Sequence, residues 1–357
     1  MEHKILVINP GSTSTKVAWF EGERELYGAS IDHSSKELDG FSDIIQQEGY
    51  RESLIRDCVK GWGVDINQLS AVVGRGGLLP HMKAGGYLVN EAMTRALREG
   101  KASPHASNLG ALLAERIARP LGIPAYIYDC VTADEFTDIA KITGMPDVQR
   151  ESMCHVLNMK AVCREVAKEC NRSYEDMSFI VAHLGGGISI SIHHGGRIVD
   201  AIRDDAGPFS PERAGSIPLL YMIDMCYSGI YNRKEMIRNV RGMGGLKAYL
   251  GTQDCREIEE LISRGDAKAK LLYEAQAYQI AKGIGELAPV LNGSIDYIIL
   301  TGGMAYSSMM TEMVTQRVGF IAPVKIIAGE REMQALAMGA LRILDGEAVR
   351  EYEEVQR

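Results

Sequence analysis

The stretch KILVINPGSTSTKVAWF occupies residues 4–20 and decides how the rest of the chain is interpreted. An apolar run ends at Asn9, four hydroxyl residues follow Gly11, and a second apolar run begins at Val17. This pattern predicts two β-strands joined by a turn. Gly, Ser and Thr are common in ordinary hairpin turns. The alternative is a phosphate-binding turn, in which backbone N–H groups, the hydroxyls and Lys16 would surround an anion.

The composition is that of a globular protein large enough for two ordinary domains. The chain has 357 residues, of which 46% are hydrophobic and 24% are charged. A net charge of −8 is not typical of a nucleic-acid-binding protein, which needs a basic surface. The seven cysteines form no C-x-x-C pair, which favours reduced thiols. Because neither a signal-peptide pattern nor a membrane-length apolar run occurs, we expect a cytoplasmic protein without membrane or nucleic-acid partners.

The same strand, turn, strand pattern recurs half a chain later. The segment SFIVAHLGGGISISIHHGGRIVDAI, residues 178–202, places a glycine turn directly after an apolar strand. Isoleucines alternate with serines over residues 188–192, which predicts a half-buried strand. His193 and His194 follow in the next hairpin turn and are predicted to be solvated. Two such openings suggest a duplicated domain.

A third glycine turn, ILTGGMAYSS at residues 299–308, also follows an apolar strand. Helical stretches separate many of the strands, and an apolar stripe from Met333 to Leu344 predicts a final helix. Mixed strands and helices predict an α/β fold. Three glycine turns after strands favour a nucleotide held between two lobes.

These turns occur together with VGRGGLLP (73–80), SPHASNLGA (103–111) and GPFSPERAG (207–215). In form and order they resemble the acetokinase family, within the superfamily of acetate and sugar kinases, heat-shock chaperones and actin. The resemblance implies two ribonuclease-H-like, or actin-like ATPase, domains flanking a nucleotide cleft. The expected N-terminal domain is residues 1–150, with a C-terminal helix, 330–357, returning to it. The expected nucleotide-binding domain is residues 151–329.

The resemblance also implies a reaction, the reversible transfer of a phosphoryl group from ATP to a carboxylate with Mg²⁺. Butyrate is the favoured acid; acetate, propionate and branched-chain acids are the alternatives, and a homo-oligomer is expected. A carboxylic acid is already ionised at neutral pH, so catalysis should depend on cations and alignment rather than on a general base. A more remote alternative is a nucleotide-binding switch or filament protein of the actin type, which shares the fold without carboxylate chemistry.

Four residues match the catalytic positions of the family. Arg75 would hold the substrate carboxylate, and Arg213 would steady the transferring phosphoryl group. The planar, permanently charged guanidinium suits both tasks. Asp129 and His155 would lie near the γ-phosphate.

The remaining expected site residues bind the nucleotide, the acid or the metal. Gly77 and His105 are expected beside Arg75 at the acid, and Asn9 and Glu332 at Mg²⁺, with Glu330 as an alternative to Glu332. The nucleotide and phosphate set is Asn9, Ser12, Ser14, Lys16, His183, Gly185, Gly186, Gly187, Gly302 and Gly303.

Three assignments stay open at this point. Lys16 lies two residues past the turn and could point away from it. Gly77 could leave room for the acyl chain or could instead need a positive φ. The charged stretch Arg203-Asp204-Asp205 departs from the family pattern and could affect substrate handling or cap a loop.

Overall fold

The computed structural model describes residues 2–80, 82–102 and 104–353. The chain divides into two compact units. Unit 1 consists of Met1–Asp134, Val156–Asn158 and Arg331–Arg357; unit 2 consists of Glu135–His155 and Met159–Glu330. The last four residues of the expected C-terminal segment, 354–357, lie outside the described residues.

The strands of the described residues are β1 (Lys4–Pro10), β2 (Ser14–Glu21), β3 (Arg24–Asp32), β4 (Ala71–Arg75), β5 (Gly86–Leu88), β6 (Ala125–Tyr128), β7 (Phe179–Leu184), β8 (Ile188–His194), β9 (Arg197–Ile202), β10 (Tyr297–Gly302), β11 (Val324–Ala328) and β12 (Arg350–Glu351).

The helices of the same residues are α1 (Ser35–Leu38), α2 (Glu48–Gly61), α3 (Glu91–Arg98), α4 (Leu109–Ala118), α5 (Asp138–Lys141), α6 (Val156–Glu169), α7 (Leu219–Tyr227), α8 (Arg233–Val240), α9 (Gly245–Leu250), α10 (Cys255–Ser263), α11 (Ala267–Leu287), α12 (Ser308–Val318) and α13 (Glu332–Leu344).

Unit 1 is built on a seven-stranded sheet in the order β12-β5-β6-β4-β1-β2-β3. Residues Ile5–Ile8 of β1 are fully buried, as expected for a central strand covered on both faces. Helices α4 and α13 pack against the central strands. A β-carbon at Gly74 would collide with the Gly110 carbonyl, so paired glycines allow α4 to approach β4 closely.

Unit 2 repeats this arrangement in a five-stranded sheet of order β11-β10-β7-β8-β9. In unit 1, β1, β2 and β3 are antiparallel, and β4 lies parallel to β1 on its other side. In unit 2, β7, β8 and β9 are antiparallel in the same way, and β10 lies parallel to β7. Five strands of unit 1, β6-β4-β1-β2-β3, therefore have the same order as the whole sheet of unit 2. This duplication was predicted from the two similar strand openings. Helices α11 and α12 contribute the apolar residues that cover the unit 2 sheet.

The prediction of a half-buried strand at 188–192 is wrong, because both faces of β8 are covered. Its serines are as buried as its isoleucines, and Ser191 Oγ contacts Met159 Sδ of α6 at 3.2 Å. His193 is also fully buried rather than solvated, with Nδ1 2.7 Å from the Tyr174 hydroxyl. His194 alone of this pair is exposed. Helix α6 therefore covers the serine face of β8, and this polar face lies in the interior.

Candidate active site

The turn after β1 places several predicted phosphate ligands at one edge of the unit 1 sheet. Gly11 N donates to Ser14 O at 2.7 Å and closes the turn, and Ser12 is exposed. Lys16 lies directly opposite Asn9 in the antiparallel register, so the two side chains lie on the same face of the sheet. Lys16 therefore does not point away from the Asn9 side of the turn.

Arg51, which was not among the predicted site residues, stabilises this turn by hydrogen bonds to its main chain. It is fully buried on α2, and its Nη1 donates to Gly11 O at 2.8 Å, Ser14 O at 3.2 Å and Thr15 Oγ1 at 2.9 Å. Its Nη2 reaches Ser12 O at 3.3 Å. Desolvation lowers the pKa of Arg51. The sequence does carry a signal, since Arg51 precedes Ile55 and Val59 at four-residue steps, on the apolar face of the helix.

Glu332, at the start of α13, joins two predicted site residues of unit 1. Its Oε2 accepts from Asn9 Nδ2 at 2.7 Å, and its Oε1 pairs with Arg75 Nη1 at the end of β4. Asn158 is completely buried, and its Oδ1 accepts from Arg331 N at 2.8 Å, fixing the backbone just before Glu332. Asn9, Arg75 and Glu332 thus form one polar cluster.

Glu330 lies in a different environment from Glu332. Its side chain is 42% exposed and lies 3.7 Å from His183 Nε2 in unit 2. Glu332 is only 9% exposed. The structure therefore distinguishes the two glutamates by unit as well as by burial.

Asp129 directly follows β6 and is 3% exposed. Its φ is +43°, a left-handed conformation that is uncommon outside glycine and costs backbone energy. Its Oδ1 accepts from Gly85 N at 2.8 Å, and its own N–H donates to Gly85 O at 3.2 Å. These paired bonds stabilise the strained conformation.

His105 lies close enough to Arg75 to respond to its charge. Desolvation and, secondarily, the Arg75 guanidinium lower the pKa of His105, which favours the neutral imidazole. Its Nδ1 lies 2.7 Å from Ser107 Oγ. A neutral imidazole can accept one hydrogen bond and donate another.

The expectation that Gly77 leaves space for an acyl chain is wrong. A β-carbon there would lie 2.9 Å from Asn108 Cα and closer still to its Oδ1. That oxygen also accepts from Leu78 N at 2.8 Å, so it is held in place. Gly77 is not among the positive-φ glycines either. Close packing against Asn108, rather than a pocket or a left-handed backbone, accounts for the glycine.

In unit 2, His155 and His183 are brought together. Their rings stack with centroids 3.8 Å apart and planes at 9°. His155 lies at the start of α6, with Nδ1 3.4 Å from Ser189 Oγ, and His183 is 1% exposed on β7. The loop after β7 continues directly into the glycine turn 185–187.

Arg213 lies against that glycine turn. A β-carbon at Gly187 would lie 2.6 Å from Arg213 Nη1 and 2.7 Å from its Cζ, so the missing side chain makes room for the guanidinium. The pKa of Arg213 is lowered by burial and then by the charge of Arg241. The third turn is also constrained, because Gly302 has φ +90° and packs on the Leu184 carbonyl.

The two glycine turns of unit 2 line one pocket of about 740 Å³. Gly185 and Gly186 contribute from the first turn, Gly303 from the second, and Glu212 and Tyr306 from neighbouring segments. This volume lies in the range typical of small-molecule sites. No group of three or more His, Cys, Asp or Glu residues that could hold a metal occurs among residues 2–80, 82–102 and 104–353.

Comparison with known proteins decides the family. A sequence profile of the acetokinase family matches residues 149–333. Butyrate kinase 2 of Clostridium acetobutylicum is 46% identical over 97% of this chain and 98% of its own length. A probable butyrate kinase 2 of Caldanaerobacter subterraneus subsp. tengcongensis is 48% identical over 96% and 98%, respectively. The chain belongs to the acetokinase family.

The fold of this acetokinase is similar to that of solved acetate kinases. The Porphyromonas gingivalis enzyme aligns over 96% of this chain and 100% of its own with a TM-score of 0.78 at 20% identity. The Entamoeba histolytica enzyme aligns over 95% and 99% with a TM-score of 0.77 at 18% identity. The expected α/β fold of two ribonuclease-H-like domains is confirmed. In the described part of the chain, no helix of this acetokinase has the length and hydropathy of a bilayer span.

Proposed function

We propose that this acetokinase transfers the γ-phosphoryl group of ATP to butyrate, giving butyryl phosphate and ADP, and that the reaction is reversible. The supporting observation is 46% and 48% identity, over almost the whole chain, to proteins named butyrate kinase 2 and probable butyrate kinase 2. The acid site, the phosphate turns and the cations described above supply the groups that such a reaction needs.

The chemistry is a direct displacement at phosphorus. A butyrate oxygen forms a bond to the γ-phosphorus while the bond to the bridging oxygen breaks and its electron pair leaves with ADP. The acid needs no general base, since it is already ionised near neutral pH. The main barrier is repulsion between an anion and a polyanion, so fixed positive charge is the required contribution.

We assign the acid to Arg75 and the transferred phosphoryl group to Arg213. The Glu332 carboxylate pairs with Arg75 Nη1, and a planar guanidinium suits bidentate binding of a substrate carboxylate. His105 contributes a neutral ring beside the acid. His155 and Asp129 would contact the γ-phosphate.

The remaining residues divide between nucleotide and metal. The 740 Å³ pocket and the turns at 185–187 and 302–303 would take ATP, with His183 beside the first turn. Ser12, Ser14 and Lys16 would contact phosphate oxygens.

Asn9 and Glu332 would hold Mg²⁺. Their oxygens are the ligands this cation prefers, and two protein ligands suffice when phosphates and waters complete the shell. Asn9 uses its amide nitrogen on Glu332, which leaves its amide oxygen for a metal. Bound Mg²⁺ would supply charge neutralisation at the phosphate oxygens.

We further propose that the enzyme is a homo-oligomer associating through α7. Leu219 is 79% exposed, Leu220 75% and Tyr227 87%, and α7 contains no buried residue. An exposed apolar surface of this kind is typical of a protein interface. Light scattering after size exclusion tests this: Leu220→Glu should reduce the mass to that of one chain, whereas a monomeric parent protein would contradict the proposal.

The catalytic proposal is tested by trapping acyl phosphate as hydroxamate with Mg-ATP and each straight-chain acid from acetate to hexanoate, together with isobutyrate. We expect butyrate to give the highest kcat/KM. A maximum with acetate, propionate or isobutyrate would replace butyrate by that acid. Folded protein that binds ATP but forms no acyl phosphate would instead favour the nucleotide-switch alternative.

A further inference from the structure

The charged stretch Arg203-Asp204-Asp205 lies in unit 2 directly after β9, and the proposed function gives it no role. Its two aspartates differ in environment. Asp204 is 8% exposed and pairs with two arginines: its Oδ2 with Arg213 Nη1, and its Oδ1 with Arg241 Nη2 at 2.8 Å. Asp205 has a 40% exposed side chain and pairs with Arg203 at 3.0 Å. Asp204 alone of the two reaches Arg213.

The main chain of Arg213 is tied to the glycine turn by a different residue, Ser210. This serine is fully buried, donates from Oγ to Gly186 O, and accepts from Arg213 N at 3.0 Å. The backbone of Arg213 is thereby fixed close to the turn. These bonds restrain the main chain of Arg213, so the direction of its guanidinium needs another restraint.

Asp204 supplies a restraint of the required kind. The guanidinium of Arg213 lies over Gly187, and Asp204 is the one acidic partner it has in the described part of the chain. Arg241 is close as well, because Ala214 N donates to Val240 O at 3.0 Å. Two neighbouring arginines repel each other, and a carboxylate between them offsets that repulsion.

We propose that Asp204 is a positioning residue that, bridged to Arg241, aims the Arg213 guanidinium at the Gly185–Gly187 turn. This inference rests on the proposed function, in which Arg213 steadies the transferring phosphoryl group. A guanidinium has five N–H donors, so a bond to Asp204 leaves the others for phosphoryl oxygens. Asp204 does not touch the substrate and acts only through Arg213.

The test compares Asp204→Asn, its neighbour control Asp205→Asn, Arg213→Lys, and the double variant Asp204→Asn/Arg213→Lys. Misdirecting a catalytic group costs up to about 100-fold, so Asp204→Asn should lower kcat roughly 10- to 100-fold while the KM for ATP changes little. Asp205→Asn should stay within about twofold of the parent, as for an exposed ion pair. The double variant should be no slower than Arg213→Lys, because Asp204 has no other route to the reaction.

Several outcomes would overturn the positioning role. One is parent-like kcat in Asp204→Asn together with a large loss in Arg213→Lys, which would leave the proposed function standing. Another is a higher kcat in Asp204→Asn, which would mean that Asp204 holds Arg213 away from the reacting group. A third is additive losses in the double variant accompanied by a lower thermal midpoint, which would make Asp204 a stability residue. Failure of the parent protein to form acyl phosphate with any acid tested would overturn the proposed function and this inference together.

Discussion

Substitutions of Arg75 and Glu332 should have different effects on kinetics, although the two side chains form a pair. Substitution of Arg75 should weaken binding of butyrate, and substitution of Glu332 should weaken binding of Mg²⁺. Arg75→Lys keeps the charge but loses the planar fork, so the KM for butyrate should rise roughly 10- to 100-fold, equivalent to about 1.5–3 kcal/mol for a charged hydrogen bond. The KM for ATP should change far less. Steady-state kinetics with each substrate varied in turn would check this. Equal effects on both KM values would contradict Arg75 as the acid ligand.

Glu332→Gln is the partner experiment. It keeps an oxygen for Asn9 but removes the negative charge, so half-maximal rate should need a higher Mg²⁺ concentration. The measurement is a Mg²⁺ titration at fixed ATP. Glu330→Gln is the matched control, since Glu330 lies in unit 2 beside His183; a larger shift in that variant would reassign the metal ligand.

Arg51 should matter for stability as well as for phosphate binding. Arg51→Met removes the donor to part-buried carbonyls of the 11–14 turn and to the buried Thr15 Oγ1 and Gln47 Oε1. Each buried unsatisfied group costs about 1–3 kcal/mol, so a loss of about 3 kcal/mol or more in the free energy of unfolding is expected. Urea unfolding followed by circular dichroism measures it. Arg56→Met on the same helix removes a partly exposed pair with Glu52 and an exposed bond to Arg116 O at 3.3 Å, and it should cost about 1 kcal/mol or less. Similar losses in the two variants would mean that the turn does not depend on Arg51.

At the scale of elements, the packing of β8 on α6 should depend on pH, because His193 of β8 is buried with Nδ1 3.6 Å from Cys163 Sγ of α6. Burial holds the pKa of His193 well below its ordinary value of 6.5. Below pH 6.5 the unfolded chain binds a proton that the folded chain does not, so acid favours unfolding; above pH 6.5 both forms are neutral. The free energy of unfolding should therefore fall by about 1.4 kcal/mol per pH unit below 6.5 on account of this residue.

His193→Gln tests that slope, since glutamine cannot titrate. The variant should lose stability less steeply than the parent between pH 6.5 and 5, although it will be less stable overall. Burial also lowers the pKa of His33. This histidine is present in both proteins, so it contributes equally to the pH dependence of their stability. Parallel slopes would show that His193 takes up a proton in the folded state.

The same elements show what the sequence could and could not predict. Period-two alternation correctly separated the isoleucines of β8 from its serines, but it says nothing about what covers the second face. The turns were predictable because they are local, and so was the helix from 333 to 344. The pairing of Glu332 with Arg75 was not, since the two residues lie far apart along the chain, and only the resemblance placed Asn9 beside Glu332. Edge strand β3 was missed because its largely exposed residues lack an apolar pattern.

At the scale of the whole molecule, duplication explains why two glycine-bearing turns exist at all. Both units place a turn after the central strand of the same five-strand order, β1 in unit 1 and β7 in unit 2. The turns have diverged in chemistry, however: hydroxyls and Lys16 follow β1, whereas Gly185–Gly187 follows β7. The two units therefore share the order of their strands and differ in the side chains of their turns. Such a difference is expected if the two units of a duplicated domain took on different roles.

The split composition of unit 1 has a consequence for its biosynthesis. Its sheet is nearly complete by Asp134, yet α13 emerges only after about 200 further residues, roughly 10–40 s later at ribosomal rates. During that interval β1 and β4 lack the helix that covers them, and Arg75 lacks its carboxylate. A messenger truncated at codon 331 should therefore yield a chain that aggregates or is degraded rather than a weakly active enzyme, which pulse-chase labelling can detect. Translation must therefore pass Leu344 before a functional kinase exists, and chains released earlier should be inactive.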